Sequence, residues 1–311
     1  MCFTMSMSEK HITIKDFSMR FGRKTVIDNL SFDVNKGEVF GFLGSNGSGK
    51  TTTIRALLGI YEPTAGDLLI DGKRYEAHLD IRLGYLPEER GLYKKESVID
   101  TMTYFGVLKG MKRATARAWS LQYLERVGLG DKAKLRLDKL SGGQQQKIQL
   151  GVTIMHDPEL LILDEPTKGL DPVNRRLLMD IVEEQNQKGT TVVLVTHQME
   201  EVERLCDHII MLKDGKRRAF GTTDEVRSEF GSDLIAVRYT GTLPEKPELY
   251  EVHKRLPHFA ELNPRPTVAP RAIAQALLAQ EGFEFSMFEV RKPSLDDVFV
   301  QIYGEAALKE A

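Results

Sequence analysis

An α/β fold with a mostly parallel sheet is predicted by three features of the sequence. A glycine-rich loop near residue 45 joins a short buried strand to a helix. Two later buried strands, Leu160 to Asp164 and Thr190 to Thr196, alternate with helical stretches and deliver polar residues at their C-terminal ends. Residues 221–311 carry no further motif of this kind and read as a small α+β domain.

The 311 residues suit one large domain and a smaller one. A formal net charge of -2 gives no basic excess, so no nucleic-acid partner is expected. No apolar run approaches the ~18 residues of a membrane span; the longest are pieces such as Thr191 to Val195. The opening residues lack the basic and apolar regions of a secretory signal. Two cysteines, Cys2 and Cys206, make neither a disulfide framework nor a cysteine metal site, and they point to a reducing, cytosolic setting. Cys206 reads as a buried structural thiol.

Taken in order, His11 to Phe17 alternates as a strand, and Val26 to Val34 follows as a second one after the turn at Phe21 and Gly22. Phe21 has two readings, an aromatic that stacks on a base or a core residue at a strand end. Glu38 to Leu43 reads as a buried strand. Gly44, Ser45, Asn46, Gly47, Ser48, Gly49, Lys50 and Thr51 then fit the phosphate-cradling G-x-x-x-x-G-K-[ST], with Thr52 completing the stretch. The helix from Thr51 to Leu58 turns its N-terminus to the anion. Lys50 is suited to the β- and γ-phosphates and Thr51 to Mg²⁺.

Asp67 to Ile70 with the turn Asp71-Gly72 predicts a short hairpin, Ile81 to Leu86 a strand, and Pro87 to Tyr93 a charged loop. Helical patterns follow, with Met102, Phe105 and Leu108 on one face, then Trp119, Leu121, Leu124 and Val127 on a second helix from Ala114 to Val127. They form an inserted subdomain over about 94–157. An apolar-striped helix is read from Lys147 to Met155, capped by Ser141. Helices are also read at Pro172 to Gln187 and Met199 to Leu205.

ATP hydrolysis needs a phosphate cradle, Mg²⁺ and a positioned water. Asp164 suits the metal, Glu165 the water, and His197 a sensor of the γ-phosphate. Each has a plainer reading: a helix cap, a solvent-facing carboxylate, a structural histidine. The ordered set over 9–220 resembles the ATP-binding cassettes of ABC transporters. That resemblance carries Leu140-Ser141-Gly142-Gly143-Gln144 as the signature sequence, Phe21 as the adenine-stacking aromatic, Glu165 as the catalytic glutamate and His197 as the switch histidine. Lys168 to Asp171 matches the loop that crosses the dimer.

The resemblance implies a P-loop NTPase core with an N-terminal antiparallel β subdomain and a helical insertion. It also implies ATP and Mg²⁺ as ligands, and Ser141 to Gly143 closing on a facing subunit's site. A homodimer or second cassette and a separately encoded transmembrane permease are then expected, placing the chain peripherally at the cytoplasmic face of a membrane. One residue departs from the family pattern. Glu88 stands where a glutamine is usual, and it is read as a third metal ligand beside Thr51 and Asp164.

In 221–311, strands are read at Leu234 to Thr240 and Phe283 to Val290, and a helix at Arg271 to Gln280, with prolines 257, 264, 266 and 270 breaking the stretch between. His253 and His258 are too sparse for a metal site. Tyr85 to Tyr93 and Pro293 to Val300 resemble a subgroup of sodium-efflux and multidrug exporters; the terminal piece of this chain is read either as a dimer contact or regulatory element, or as a passive stabilising appendage. The expectation is an exporter ATPase; the alternative is a non-transport cassette protein acting on ribosomes or DNA. A phosphate-loop kinase or GTPase leaves Leu140 to Gln144 unexplained.

Overall fold

The computed structural model describes residues 9–76, 81–89, 91–230 and 234–304. The chain divides into two compact units at Thr222 and Thr223. The first unit opens with β1 (Lys10–Phe21) and β2 (Lys24–Asn35), a long antiparallel hairpin in which Phe21 faces Lys24. Then come β3 (Val39–Gly44), α1 (Lys50–Leu57), β4 (Ala65–Ile70) and β5 (Leu83–Leu86). The expected hairpin after Asp67 shrinks to one bridge between Ile70 and Lys73, because β4 pairs with β1 instead. The result is a three-stranded antiparallel sheet ordered β2-β1-β4.

Next come α2 (Val98–Leu108), α3 (Arg113–Arg126), α4 (Gly142–Ile154), β6 (Leu160–Asp164), α5 (Pro172–Gln187), β7 (Thr191–Val195), α6 (Met199–Leu205), β8 (His208–Lys213) and β9 (Lys216–Thr222). The second sheet runs β5-β6-β7-β3-β8-β9, parallel except for β9 at the edge. The period of two in a strand sorts its side chains between two cores. Leu161 and Leu163 join Val192 and Leu194 in a core shared with α2 to α5. Leu160 and Ile162 join Phe40, Phe42 and the antiparallel sheet's Ile12, Phe17 and Phe32 in the other. Covered on both faces, β3, β6 and β7 are buried along their whole length, which is why they read as unbroken apolar runs.

Two sequence expectations about the helices are corrected. Leu108 and Leu121 are exposed, so the apolar faces of α2 and α3 stop short of them, while Met102 and Leu124 are fully buried. Helix α4 starts at Gly142, five residues before the expected Lys147, and every residue from Gln146 to Ile154 is buried, so it carries no stripe. Its polar side chains find partners inside: Gln146 donates to the Pro166 carbonyl at 2.9 Å and Lys147 to the Val127 carbonyl at 3.0 Å. Cys206 packs at the edge of the helix-side core, and burial pushes its thiol pKa up.

The second unit holds α7 (Thr223–Phe230), β10 (Leu234–Thr240), β11 (Tyr250–Leu256), β12 (Phe259–Pro264), α8 (Pro270–Leu278), β13 (Glu284–Arg291) and α9 (Leu295–Tyr303). Its antiparallel sheet runs β11-β12-β10-β13 around Ile235, Val237, Leu262, Ile273 and Leu277. The proline-rich stretch is a hairpin rather than a broken region. Pro257 sits in the turn beside His258, whose φ of +60° reverses the chain, and Pro264 ends β12 where a missing N–H costs little. Strand β11 is exposed along six of its seven residues, so no apolar alternation announced it.

Candidate functional site

The glycine loop lies where β3 ends and α1 begins. Gly49 precedes the helix at φ +108°, and a Cβ there would meet Ile27 Cδ1 at 2.3 Å. A Cβ on Gly44 would meet Ser48 Oγ at 2.4 Å and the Leu212 carbonyl at 2.7 Å. Both positions therefore exclude a side chain. No side chain caps α1, so its first N–H groups are left to an anion. Lys50 is buried and folded back, donating to the Gly44 carbonyl at 2.6 Å and the Ser45 carbonyl at 3.2 Å. Burial lowers its pKa, and Glu165, Asp164 and Glu88 oppose that shift. Ser48 Oγ is buried with no hydrogen-bond partner among the described residues.

The acidic edge is built by β6 and β7, whose parallel register sets Asp164 beside Val195. Asp164 is 1% exposed and accepts from Thr51 Oγ1 at 3.1 Å. Its pKa is raised to about 6, by burial first; the Thr51 hydrogen bond opposes this, and the charges of Glu88 and Glu165 add to it. Glu165 turns the chain with φ +50° and donates its N–H to the Val195 carbonyl at 2.8 Å. That left-handed backbone costs of order 1–3 kcal/mol in a non-glycine residue, and it aims the side chain across to the end of β7. There Glu165 Oε1 meets His197 Nδ1 at 2.7 Å. Glu88 accepts from Lys168 Nζ at 2.6 Å, so the residue read as a metal ligand is held by an ammonium group.

Apart from Gly44, Ser45 and Ser48, which lie outside its lining, these groups line one cleft of about 740 Å³. It brings Asn46, Gly47 and Gly49 to Thr52 together with Glu88, Asp164, Glu165 and His197. The structure does not bring in Ser141, Gly142, Gly143 or Gln144. They line a separate hollow of about 370 Å³, with Gly169 and Leu170 common to both. Ser141 caps α4 through a reciprocal pair with Gln144, its Oγ accepting from Gln144 N at 3.3 Å and its N–H donating to Gln144 Oε1 at 3.0 Å. Phe21 is 46% exposed and packs edge-on against Tyr61, outside the cleft lining but opposite Lys24, which is part of it. Sequence reasoning missed Lys24, Val26, Thr167, Arg175 and Gln198, all of which line the cleft. Thr167 and Gln198 adjoin recognised residues; no local pattern marks Arg175, which arrives on the first turn of α5.

Over residues 27–168 the chain matches the family model described as ABC transporter. It is 36% identical over 298 residues to the ABC transporter ATP-binding protein YhaQ of Bacillus subtilis, covering 94% of this chain and 98% of that one. The chain belongs to the ABC transporter ATP-binding proteins. Residues 221–303 of this ABC ATPase match the model described as ATP-binding protein DrrA1-3-like, C-terminal domain. The Nod factor export ATP-binding protein I of Burkholderia orbicola is 33% identical over 302 residues, across 96% of this chain and 98% of its own. A solved ATP-binding subunit of an ABC transporter superposes with a TM-score of 0.66 at 30% identity, covering 71% of this chain and 93% of that one. The protein binds and hydrolyses ATP, and hydrolysis is coupled to transport through a partner permease. These relatives give the ribosome or DNA alternative no support. Among the described residues no helix is long and apolar enough to cross a membrane.

Proposed function

We propose that this ABC ATPase supplies half of a composite ATP site, works as a homodimer at the cytoplasmic face of a membrane, and drives export. The observation that carries the reading is the convergence of Lys50, Thr51, Asp164, Glu165 and His197 at the C-terminal edge of one parallel sheet, where open α/β sheets hold ligands. The side-chain-free cradle at Gly44 and Gly49, the orphaned Ser48 hydroxyl and the uncapped α1 fit a polyphosphate. Lys50 then leaves its two carbonyls for the β- and γ-phosphates. Phe21 offers its open face to the base.

Thr51 and Asp164, joined at 3.1 Å, supply two hard oxygen donors, about the number Mg²⁺ takes from a protein when phosphates and waters complete its shell. When bound, the metal neutralises charge on the phosphates. Glu88 adds a third oxygen once Lys168 releases it. Glu165, fixed by His197, orients the attacking water and takes its proton. Within one chain Ser141, Gly142 and Gly143 line a hollow separate from this cleft, which supports their closing on the site of a second copy, with Lys168 to Asp171 between the two. Residues 9–220 form the cassette, with its helical subdomain over about 94–157, and 221–311 the accessory domain.

Export is supported by the Nod factor export relative and by the linearmycin resistance ATP-binding protein LnrL of Bacillus subtilis, 32% identical over 296 residues. Tyr85 to Tyr93 and Pro293 to Val300 support the sodium-efflux and multidrug subgroup. The decisive test is Glu165→Gln. Phosphate release is expected to fall by more than about a hundredfold, while light scattering still detects ATP-dependent dimers. Unchanged turnover in this variant overturns the assignment.

A further inference from the structure

Behind the cleft lies a buried carboxylate that the reading above does not use. Glu201, on α6, is 2% exposed, yet it belongs to neither the phosphate loop nor the acidic edge. One carboxylate oxygen accepts from the Thr167 hydroxyl and the other from Thr196 Oγ1 at 3.1 Å. Thr167 lies two residues past Glu165 and directly before Lys168, and Thr196 directly precedes His197. Both threonines are buried, at 2% and 0% exposure. The Thr196 oxygen also accepts from the Gln198 N–H at 3.1 Å, so it fixes the backbone on both sides of His197.

Burying a carboxylate is costly, and an apolar side chain would fill the space between α6 and the sheet more cheaply. Burial raises the pKa of Glu201, and the two hydroxyl donors and Arg175 oppose that shift. What the carboxylate supplies, and a leucine would not, is two directed acceptors of fixed separation, one for each loop. Arg175 stands nearby with Nε 3.9 Å from Glu201, while its Nη1 donates to Gln198 Oε1 at 3.4 Å. Its Nε is buried without a hydrogen-bond partner among the described residues, so its charge faces the carboxylate without bonding to it. From Pro166 the connection continues to α4 through Gln146, the helix whose N-terminus carries Ser141 to Gly143.

We infer that Glu201 is a positioning residue that ties the His197 loop to the loop running from Glu165 through Asp171. It holds Glu165 and His197 in register and passes movement at one to the dimer-crossing segment at the other. The inference rests on the reading of Glu165 and His197 as the reacting pair. A tie of this kind acts on the reacting geometry rather than on nucleotide affinity, so its loss lowers kcat and leaves KM alone.

The test measures steady-state ATP turnover of the full chain for Glu201→Gln, Thr167→Val, Thr167→Ser and the double variant Glu201→Gln/Thr167→Val. Glu201→Gln and Thr167→Val are each expected to lower kcat by about tenfold to a hundredfold with KM for ATP within about twofold of the parent. Thr167→Ser, which keeps the hydroxyl, is expected to retain turnover, and the double variant to be no worse than the poorer single one. A kcat within about twofold of the parent in Glu201→Gln, or losses that multiply in the double variant, overturns the inference. Where Glu201→Gln does not fold, the contrast between Thr167→Val and Thr167→Ser decides, since both keep the carboxylate; equal turnover in the two overturns it. Glu165→Gln runs alongside. If that variant still turns over, the site reading fails; if it is dead while Glu201→Gln is normal, only the present inference does.

Discussion

Glu88 and Lys168 meet on the rim of the cleft at 2.6 Å, from loops after β5 and β6 that are 80 residues apart in the chain. The pair is more than one-third exposed on both sides, so it adds little to stability, ~0–1 kcal/mol. Its effect falls on the ligand. Glu88 puts a negative charge beside the phosphates and Lys168 offsets it. Glu88→Gln is therefore expected to bind ATP in metal-free buffer more tightly, by a factor of about five for roughly 1 kcal/mol of removed repulsion, and Lys168→Ala less tightly. Titration with a fluorescent ATP analogue checks both signs; equal affinities in the three proteins reject the account. The sequence made Glu88 conspicuous, because a carboxylate stood in a glutamine's place. It concealed the lysine, because nothing local to Lys168 names a partner so distant.

Among the elements, α2, α4 and β5 are joined by a small polar contact set apart from the cleft. His156, just past α4, lies with Nε2 3.2 Å from the Leu83 carbonyl of β5 and Nδ1 3.3 Å from Lys109 Nζ at the end of α2. Burial comes first among the causes that lower the His156 pKa to about 4; the charges of Lys109 and Arg82 add to it, and Asp157 opposes it. Burial alone lowers Lys109 to about 8. The folded chain thus prefers a neutral imidazole. Between the unfolded value of 6.5 and the folded value near 4, the unfolded state binds the extra proton, so stability falls as pH falls through that window. His156→Gln keeps an amide donor for Leu83 and removes the titration. Its melting temperature is expected to drop less than the parent's between pH 6.5 and 4, measured by thermal scans across that range. Parallel curves reject the assignment.

On the scale of the whole molecule, the cleft holding Lys50 and the hollow holding Ser141 are different places in one chain. If the ATP site is shared between copies, Lys50→Ala and Ser141→Arg are each inactive alone, and mixing them restores activity, because a mixed dimer keeps one intact pairing of the two surfaces. Phosphate release from the mixture, rising faster than linearly with protein concentration, is the expected reading. No recovery on mixing rejects the shared site.

Much of the cassette could be read from the chain because its information is local. Gly44 to Thr51 is a contiguous cradle, and Leu160 to Asp164 is a strand buried on both faces, so composition and spacing suffice to find them. Strands β9 and β11, at the edges of their sheets, went unread, and so did β12; each takes its place from pairing with a neighbour, which leaves little trace in its own alternation. Strand β8 went unread although its run from Ile209 to Leu212 is buried like those of β6 and β7. The same division holds for the site. Sequence named Lys50, Asp164, Glu165 and His197 as chemical types in order along the chain. Only folding placed Glu165 against His197 across parallel strands, set Lys168 on Glu88, and buried Glu201 between Thr167 and Thr196. Apart from the local Thr196–Glu201 bond, those contacts span 32 to 80 residues of chain, and they arise from the order of the strands, β5 beside β6 beside β7, which no single segment encodes.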